Sequence, residues 1–456
     1  MEVAKGDSSM IQNRLPQLAV LLLSFVLLPA HADRLRTAKP ESVGMSSERL
    51  GRIAVVMQRH IDAGDIQGAV TAVARRGRVV HFETHGLMDV EANRPMEKDA
   101  IFIMMSSTKP VLGVAAMIMI EEGLIRPNDP VSKYLLEFKD MQVAVLKEPA
   151  DEDVSPMFVR RNDVPEHRTV PAEREILMRD ILPHTSGLAS GGLGSAVSPR
   201  PERKSLAESI PKLGDHLLDF QPGLRWRYSA GTALHVVARI VEIVSRQPYD
   251  EFVKTRIFDR LGMKNTHYNL PADKESRRVE ITRRDMSRFR GRTTEYFSGS
   301  YGLSSTAEDY LRFEMMLVGG GELYGERILG SRSVEWFGSN QLGDLYKGLH
   351  GGARGQGFGY TVAVTLDPVV SDSRRNAGAF GWGGAFGTAS WSDPEDELAV
   401  VFMVQQPHRG AQYSFANAVD RSGRQIPALA RSMKSRAPAA IHGPIDVKKN
   451  RTPMLA

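Results

Sequence analysis

The apolar positions of the chain fall into three regimes. Ser46 and Ser47 precede Glu48 and a run of apolar positions at helical spacing through Ile61, closed by Gly64, which predicts an N-capped helix. Gly68 to Ala74 and Val79 to Glu83 are β-rich and flank Arg76-Gly77, the pattern of a hairpin. Val111 to Ile120 is apolar on every side, so a buried helix is expected there rather than a surface one.

The middle of the chain reads differently. From Glu137 to Arg174, Pro149, Pro156, Pro165 and Pro171 stand among charges, which predicts an irregular excursion over the surface. Helical spacing returns in Glu173 to Leu182, Gly231 to Ser245, Tyr249 to Leu261 and Thr306 to Leu317, the last opened by Thr306 with Glu308 and Asp309 in its first turn. The final third is β-rich in Phe358 to Leu366, Ala379 to Trp391 and Glu397 to Gln405, the last two joined by the turn Asp393-Pro394-Glu395-Asp396. Strands at both ends with helices between them predict an α+β fold. The expected layer combines residues 44–105 and 296–425, with a mainly helical subdomain over 106–295 inserted, all within one module over 33–425.

The ends carry their own signals. Residues Leu18 to Leu28 are apolar except for Ser24, follow Lys5 and Arg14, and lead to Ala30-His31-Ala32. A basic flank, a short apolar run and small residues at the cleavage positions predict a signal peptide over residues 1–32 and export to the periplasm or medium. The run falls short of the ~20 residues of a spanning helix, so no stable membrane anchor is expected after cleavage. The net charge of +5 is accounted for by six cations and one anion between Arg431 and Ala456, a Pro-containing stretch read as a disordered tail over 426–456. The remaining chain is neutral, which leaves a nucleic-acid partner without electrostatic support. Cysteine is absent, which excludes disulfides, thiolate metal sites and a thiol nucleophile.

Chemistry concentrates where Ser106-Ser107-Thr108-Lys109 meets the apolar helix, with Pro110 tolerated in its first turn. Residues three apart share a helix face, so the Lys109 amine can turn back onto the Ser106 hydroxyl. A serine needs a base to be a nucleophile, and a desolvated lysine can serve as one. The helix N-terminus supplies N–H donors where an oxyanion forms. The plainer reading makes Ser106 an N-cap and Lys109 a solvated first-turn residue. Ser209-Ile210-Pro211-Lys212 repeats the four-residue spacing without the apolar helix behind it.

Two further segments complete a set: Tyr228-Ser229-Ala230, following Gln221-Pro222-Gly223 and Trp226, and Gly381-Trp382-Gly383-Gly384-Ala385 on a late strand. With His184-Thr185-Ser186-Gly187-Leu188 and Gly302-Leu303-Ser304-Ser305-Thr306-Ala307-Glu308-Asp309, they resemble the ordered motifs of the serine β-lactamase and penicillin-binding-protein superfamily over about Val43 to Asn417. The resemblance implies that fold, with an antiparallel sheet flanked by helices. It implies Ser106 as the acylated nucleophile, Lys109 as its base and Tyr228 as the proton shuttle, with the Ser106 and Ala385 N–H groups as the oxyanion hole. Which of Lys109 and Tyr228 holds the proton is left open by the sequence.

The departures are Ala230 in place of the family's asparagine and Trp382 in place of its lysine; with Gly383 and Gly384, these form the expected substrate-binding residues. Losing both polar handles resembles the family VIII carboxylesterases, and implies a preference for neutral acyl compounds. Ester hydrolysis through an acyl-enzyme is therefore expected, with a small ester or amide as the substrate and no metal or cofactor. The alternatives are a β-lactamase or D-amino-acid peptidase, or a penicillin or peptidoglycan sensor that is acylated without turnover. A Ser-His-Asp hydrolase lacks its G-x-S-x-G elbow and a zinc hydrolase its H-E-x-x-H. His184 is read as a turn-stabilising residue. Seven arginines between Arg277 and Arg292 are read as a solvated loop or, more sharply, as a rim that attracts anionic substrates.

Overall fold

The structure is a computed structural model that describes residues 34–147, 159–200, 202–281, 293–349 and 353–422. The expected signal peptide, the basic tail and five of the seven clustered arginines (Arg283, Arg284, Arg288, Arg290 and Arg292) lie outside the described residues. No helix among those described is long and apolar enough to cross a membrane.

In chain order, α1 (Ser47–Leu50) and α2 (Arg52–Asp62) lead into β1 (Gly68–Arg75), β2 (Arg78–Asp89) and β3 (Arg94–Pro95), and β4 (Phe102–Ile103) precedes α3 (Lys109–Glu121). The middle holds β5 (Gln142–Leu146), β6 (His167–Pro171), α4 (Met178–Ile181), α5 (Leu193–Val197), α6 (Leu206–Ser209), α7 (Ala233–Ser245), α8 (Tyr249–Val253) and α9 (Asp259–Leu261). Then come β7 (Ser304–Ser305), α10 (Ala307–Val318), β8 (Glu322–Leu323), β9 (Glu326–Arg327) and α11 (Ser331–Phe337). The chain closes with β10 (Gln356–Phe358), β11 (Ala363–Thr365), β12 (Phe380–Gly383), β13 (Ala389–Asp393), β14 (Leu398–Met403) and α12 (Arg409–Ser422).

One eight-stranded sheet, in the order β10-β11-β12-β13-β14-β1-β2-β3, forms the centre, and each of its pairings is antiparallel. Strands from both ends of the chain meet at its middle, where Val70 of β1 lies opposite Met403 of β14. The fold is the expected α+β arrangement. Every residue of β1 is buried, because both faces of the sheet are covered. Ala69 and Val73 pack with Ile53 and Met57 of α2 and Phe415 of α12. Val70, Ala72 and Ala74 face the other way, into the large cluster that contains α3, α7 and α10. That cluster is continuous from the sheet through the helical region, so the two share one core.

Helix α3 is the element that brings the site to this core. Its residues from Lys109 to Met119 are all buried, and Gly113 lets it pack against α11 and the β10–β11 turn. A Cβ there would stand 2.5 Å from Phe337 Cε2 and 2.9 Å from Tyr360 O.

Four expected elements differ, one of them the stretch Ala379 to Trp391, which is the two strands β12 and β13 on either side of a turn where Gly387 N–H bonds Gly384 O. Residues 137–174 carry the two-stranded β5–β6 sheet, because Val143 and Ala144 supply a buried edge that the polar sequence of β6 conceals. Between Glu173 and Leu182 only Met178–Ile181 is helical. The residues before it run extended, with Leu177 bridged to Pro130, and the Asp180 carboxylate takes the Arg174 guanidinium at 2.6 and 2.9 Å and the Leu177 N–H at 2.8 Å. The expected strand Phe358 to Leu366 is two strands, β10 and β11, since Thr361 adopts φ 71° and Gly359 N–H bonds Val362 O to close a turn.

Candidate active site

Ser106 does not cap α3. It lies in the 3-10 turn Met105–Thr108, and Thr108 stands at the helix boundary. In a 3-10 turn residues i and i+3 nearly eclipse, which sets the Lys109 amine on the Ser106 hydroxyl more directly than an α-helical turn would. The turn is pinned from several sides. Met104 N–H bonds Leu303 O at 2.8 Å, the Gln405 side chain holds both the N–H and the carbonyl of Ile103, and Tyr310 Oη donates to Ser107 O at 2.6 Å. Met105, just before the serine, has φ 47°, a strained conformation for a residue with a Cβ.

Lys109 is fully buried. Its Nζ lies 3.0 Å from Ser106 Oγ, 3.1 Å from Ala230 O and 3.0 Å from Ser300 O. Burial pushes its basicity below the ordinary lysine range, with Tyr228 opposing. Two of the amine's positions go to the carbonyls and the third faces Ser106 Oγ. Tyr228 Oη donates to the same oxygen at 2.9 Å and receives the Trp382 Nε1–H at 3.3 Å. The Tyr228 ring is held between the edge of His184 at 4.9 Å and the face of Trp226 at 6.5 Å. His184 is buried and kept neutral by burial, and its φ of 67° marks the turn.

The β12–β13 turn closes the other side. Gly384 approaches the Met104 carbonyl so closely that a Cβ would stand 2.3 Å from it. Thr388 Oγ1 donates to that carbonyl at 3.2 Å and pairs with Ser107 Oγ at 2.9 Å. Among the described residues, neither the Ser106 nor the Ala385 N–H meets a backbone or side-chain acceptor.

The fold thus gathers Ser106, Lys109, Tyr228 and Trp382, places Gly383 and Gly384 on the adjoining strand and turn, and uses Ala230 through its carbonyl while its side chain faces solvent. The second serine–lysine spacing does not assemble: Ser209 Oγ accepts Lys204 N–H, and Lys212 pairs with Glu202 at 3.1 Å.

A profile of the Beta-lactamase family matches residues 53–424. The chain belongs to the β-lactamase family. Protein Rv1367c of Mycobacterium tuberculosis is 33% identical over 366 residues, which cover 75% of this chain and 87% of that protein. Esterase EstB of Burkholderia gladioli is 26% identical over 388 residues, covering 79% and 91%. The solved structure of EstCE1, described as a hydrolase with promiscuous acyltransferase activity, shares the fold with a TM-score of 0.65 at 23% identity, covering 82% of this chain and 99% of that one. As a member of the β-lactamase family, the chain falls in a superfamily of serine hydrolases.

Sequence reasoning missed the support of Lys109. Ser298 Oγ accepts the N–H groups of Ser300 and Tyr301, so its own proton goes to His235 Nε2 at 2.7 Å, and His235 Nδ1–H donates to Tyr296 Oη at 2.6 Å. This buried chain fixes the loop whose carbonyl holds the lysine. A backbone carbonyl has no sequence signal, and His235 lies within an apolar helix that reads as core. Histidines scattered along the sequence are also brought together elsewhere, as His60, Asp65 and His408, and as His81, Glu83 and His85. In the first group His408 Nδ1 accepts Ala411 N–H, which keeps the proton on Nε2 toward Asp65. In the second, Thr71 Oγ1 bridges the two Nε2 atoms at 2.7 and 2.8 Å.

Proposed function

We propose that the protein hydrolyses carboxylic esters through an acyl-enzyme on Ser106. The observation that carries this reading is the placement of one oxygen, Ser106 Oγ, within hydrogen-bond reach of both a buried amine and a phenol. Ser106 Oγ attacks the ester carbonyl as its proton passes to the neutral Lys109 amine. The N–H groups of Ser106 and Ala385 receive the developing oxyanion. The C–O bond to the alcohol then breaks, and Tyr228 Oη delivers a proton to the departing alkoxide, replenished from Lys109. Water reverses the sequence on the acyl-enzyme and releases the acid.

The choice of ester over lactam or peptide rests on Trp382 and Ala230. Where family members carry a lysine and an asparagine, this chain has an indole that donates to Tyr228 and a methyl group, so neither position presents a cation or amide to substrate. The relation to Esterase EstB supports the same class.

The test is hydrolysis of 4-nitrophenyl butyrate beside a chromogenic cephalosporin, for the wild type and Ser106→Ala, with intact-mass detection of adducts. Steady ester turnover, a butyryl adduct on the wild type and loss of both in Ser106→Ala are expected. Cephalosporin turnover matching that of the ester would overturn the ester preference. An adduct without turnover would make the protein a sensor, and an inert Ser106 would remove the enzyme reading.

A further inference from the structure

Arg203 was not part of any motif, yet its guanidinium lies against the site. Its Nη2 would stand 3.9 Å from a Cβ on Gly231, and its Cζ sits 5.4 Å from the centre of the Tyr301 ring. Gly231 and Tyr301 each directly follow one of the two carbonyls, Ala230 O and Ser300 O, that hold Lys109. The cation therefore spans the two chain segments that clamp the base, on the side where the family's asparagine is replaced by Ala230.

The same guanidinium lines a cavity of about 260 Å³ together with Met105, Tyr268, Tyr296, Arg278 and Tyr301. Met105 is the neighbour of Ser106 in the chain, so one wall of the cavity adjoins the segment that carries the serine. Its charges do not cancel. Arg278 is held by both oxygens of Glu275, at 2.9 and 2.7 Å. The carboxylate next to Arg203 in sequence, Glu202, is engaged by Lys212 at 3.1 Å and Lys204 at 3.9 Å. Arg203 makes no ion pair or hydrogen bond among the described residues beyond its stack on Tyr301. A guanidinium carried on an aromatic face keeps its fork of N–H groups free for a planar anion.

We propose that Arg203 is a specificity-determining residue and that the substrate is an ester bearing a carboxylate, seated in this cavity against the guanidinium. This rests on the acyl-enzyme reading above and deepens it: the anion contact given up at Trp382 is made by a different residue. The carboxylate belongs to either the acyl or the alcohol part, and the two are separable. Recognition of this kind improves substrate binding without touching the reacting atoms, so its signature is in KM.

The test compares mono-4-nitrophenyl adipate with 4-nitrophenyl hexanoate for a carboxylate on the acyl side, and 4-butyryloxybenzoate with 4-butyryloxybenzamide for one on the leaving side. Wild type, Arg203→Gln and Arg203→Lys are measured in the full-length protein. The preference for the carboxylated member of at least one pair falls about tenfold to a hundredfold in Arg203→Gln, chiefly through KM. Arg203→Lys retains part of it, and the neutral members lose less than the carboxylated ones, so the ratio within a pair is the readout. Equal preference in wild type and Arg203→Gln on both pairs would overturn the proposal. Loss of all ester turnover is a failure of the acyl-enzyme reading instead. In that case calorimetric binding of monomethyl adipate to Ser106→Ala, with and without Arg203→Gln, reads the cavity alone, and equal affinities would refute it.

Discussion

In the proposed mechanism Lys109 must be neutral to act as the base, and its surroundings decide at what pH it is so. The group is wholly buried, and its folded-state basicity lies below that of a lysine in water. As pH falls through that lowered value the amine takes up a proton and ceases to be a base, so kcat/KM for a neutral ester decreases on the acid side and levels off below the ordinary lysine range. A pH–rate profile checks this, and Lys109→Arg, always charged, lowers acylation by roughly 10²–10⁴-fold at every pH while burst kinetics report the step affected. Tyr228→Phe keeps the ring against His184 and Trp226 but removes the Oη that touches Ser106. The expected loss in kcat is of the same order, about 10²–10⁴-fold, with KM little changed.

Among the elements, the β12–β13 turn and α3 are the ones in closest contact with the machinery. Gly384→Ala places a methyl 2.3 Å from Met104 O and 2.4 Å from Thr388 Oγ1, so the turn that carries Ala385 must move away from Ser106. Acylation falls by about 10²–10³-fold, as for loss of an oxyanion donor, while circular dichroism shows the sheet intact. Gly113→Ala acts one turn further along α3, against Phe337 and Tyr360, and lowers stability by about 1–3 kcal/mol in chemical denaturation. These elements differed in how far the sequence disclosed them. The amphipathic α2, the β1–β2 hairpin around Gly77 and the apolar α3 each advertise themselves in a local pattern, and so does the adjacency of Ser106 to Lys109. The β5–β6 pair does not, since His167–Pro171 is polar and becomes a strand only because Gln142–Leu146 lies beside it. Nor do Ser300 and His235, whose parts depend on a carbonyl direction and on hydrogen bonds between residues far apart in the chain. Arg203 is legible only once Gly231 and Tyr301 have been brought under it.

At the scale of the whole molecule, the shared core of sheet and helices holds ionisable groups whose effects on folding have a definite sign. Glu314 of α10 is buried against Ser392, whose Oγ donates to Oε2 at 2.7 Å, and burial raises its pKa from 4.5 to about 7 against the opposing influence of Ser390, Ser392 and Arg375. The folded chain therefore binds this proton more tightly than the unfolded one, and the stability it contributes is full below the unfolded value and is lost as pH rises through about 7. Glu314→Gln mimics the protonated form. Its stability relative to the wild type rises between pH 4 and pH 8 by roughly 3 kcal/mol, read from paired denaturation curves. Taking the difference between the two proteins cancels the opposite trend from His81 and His85, which burial keeps neutral down to pKa values of about 3 and 4. The pairing of Val70 with Met403 has a consequence for biosynthesis. β1 is made long before its partner β14, so a growing chain holds β1 with an open edge until β14 emerges. Because Gly384 and Ala385 are made just ahead of that pairing strand, a polypeptide interrupted before them holds Ser106, Lys109 and Tyr228 without the turn that closes the other side of the site.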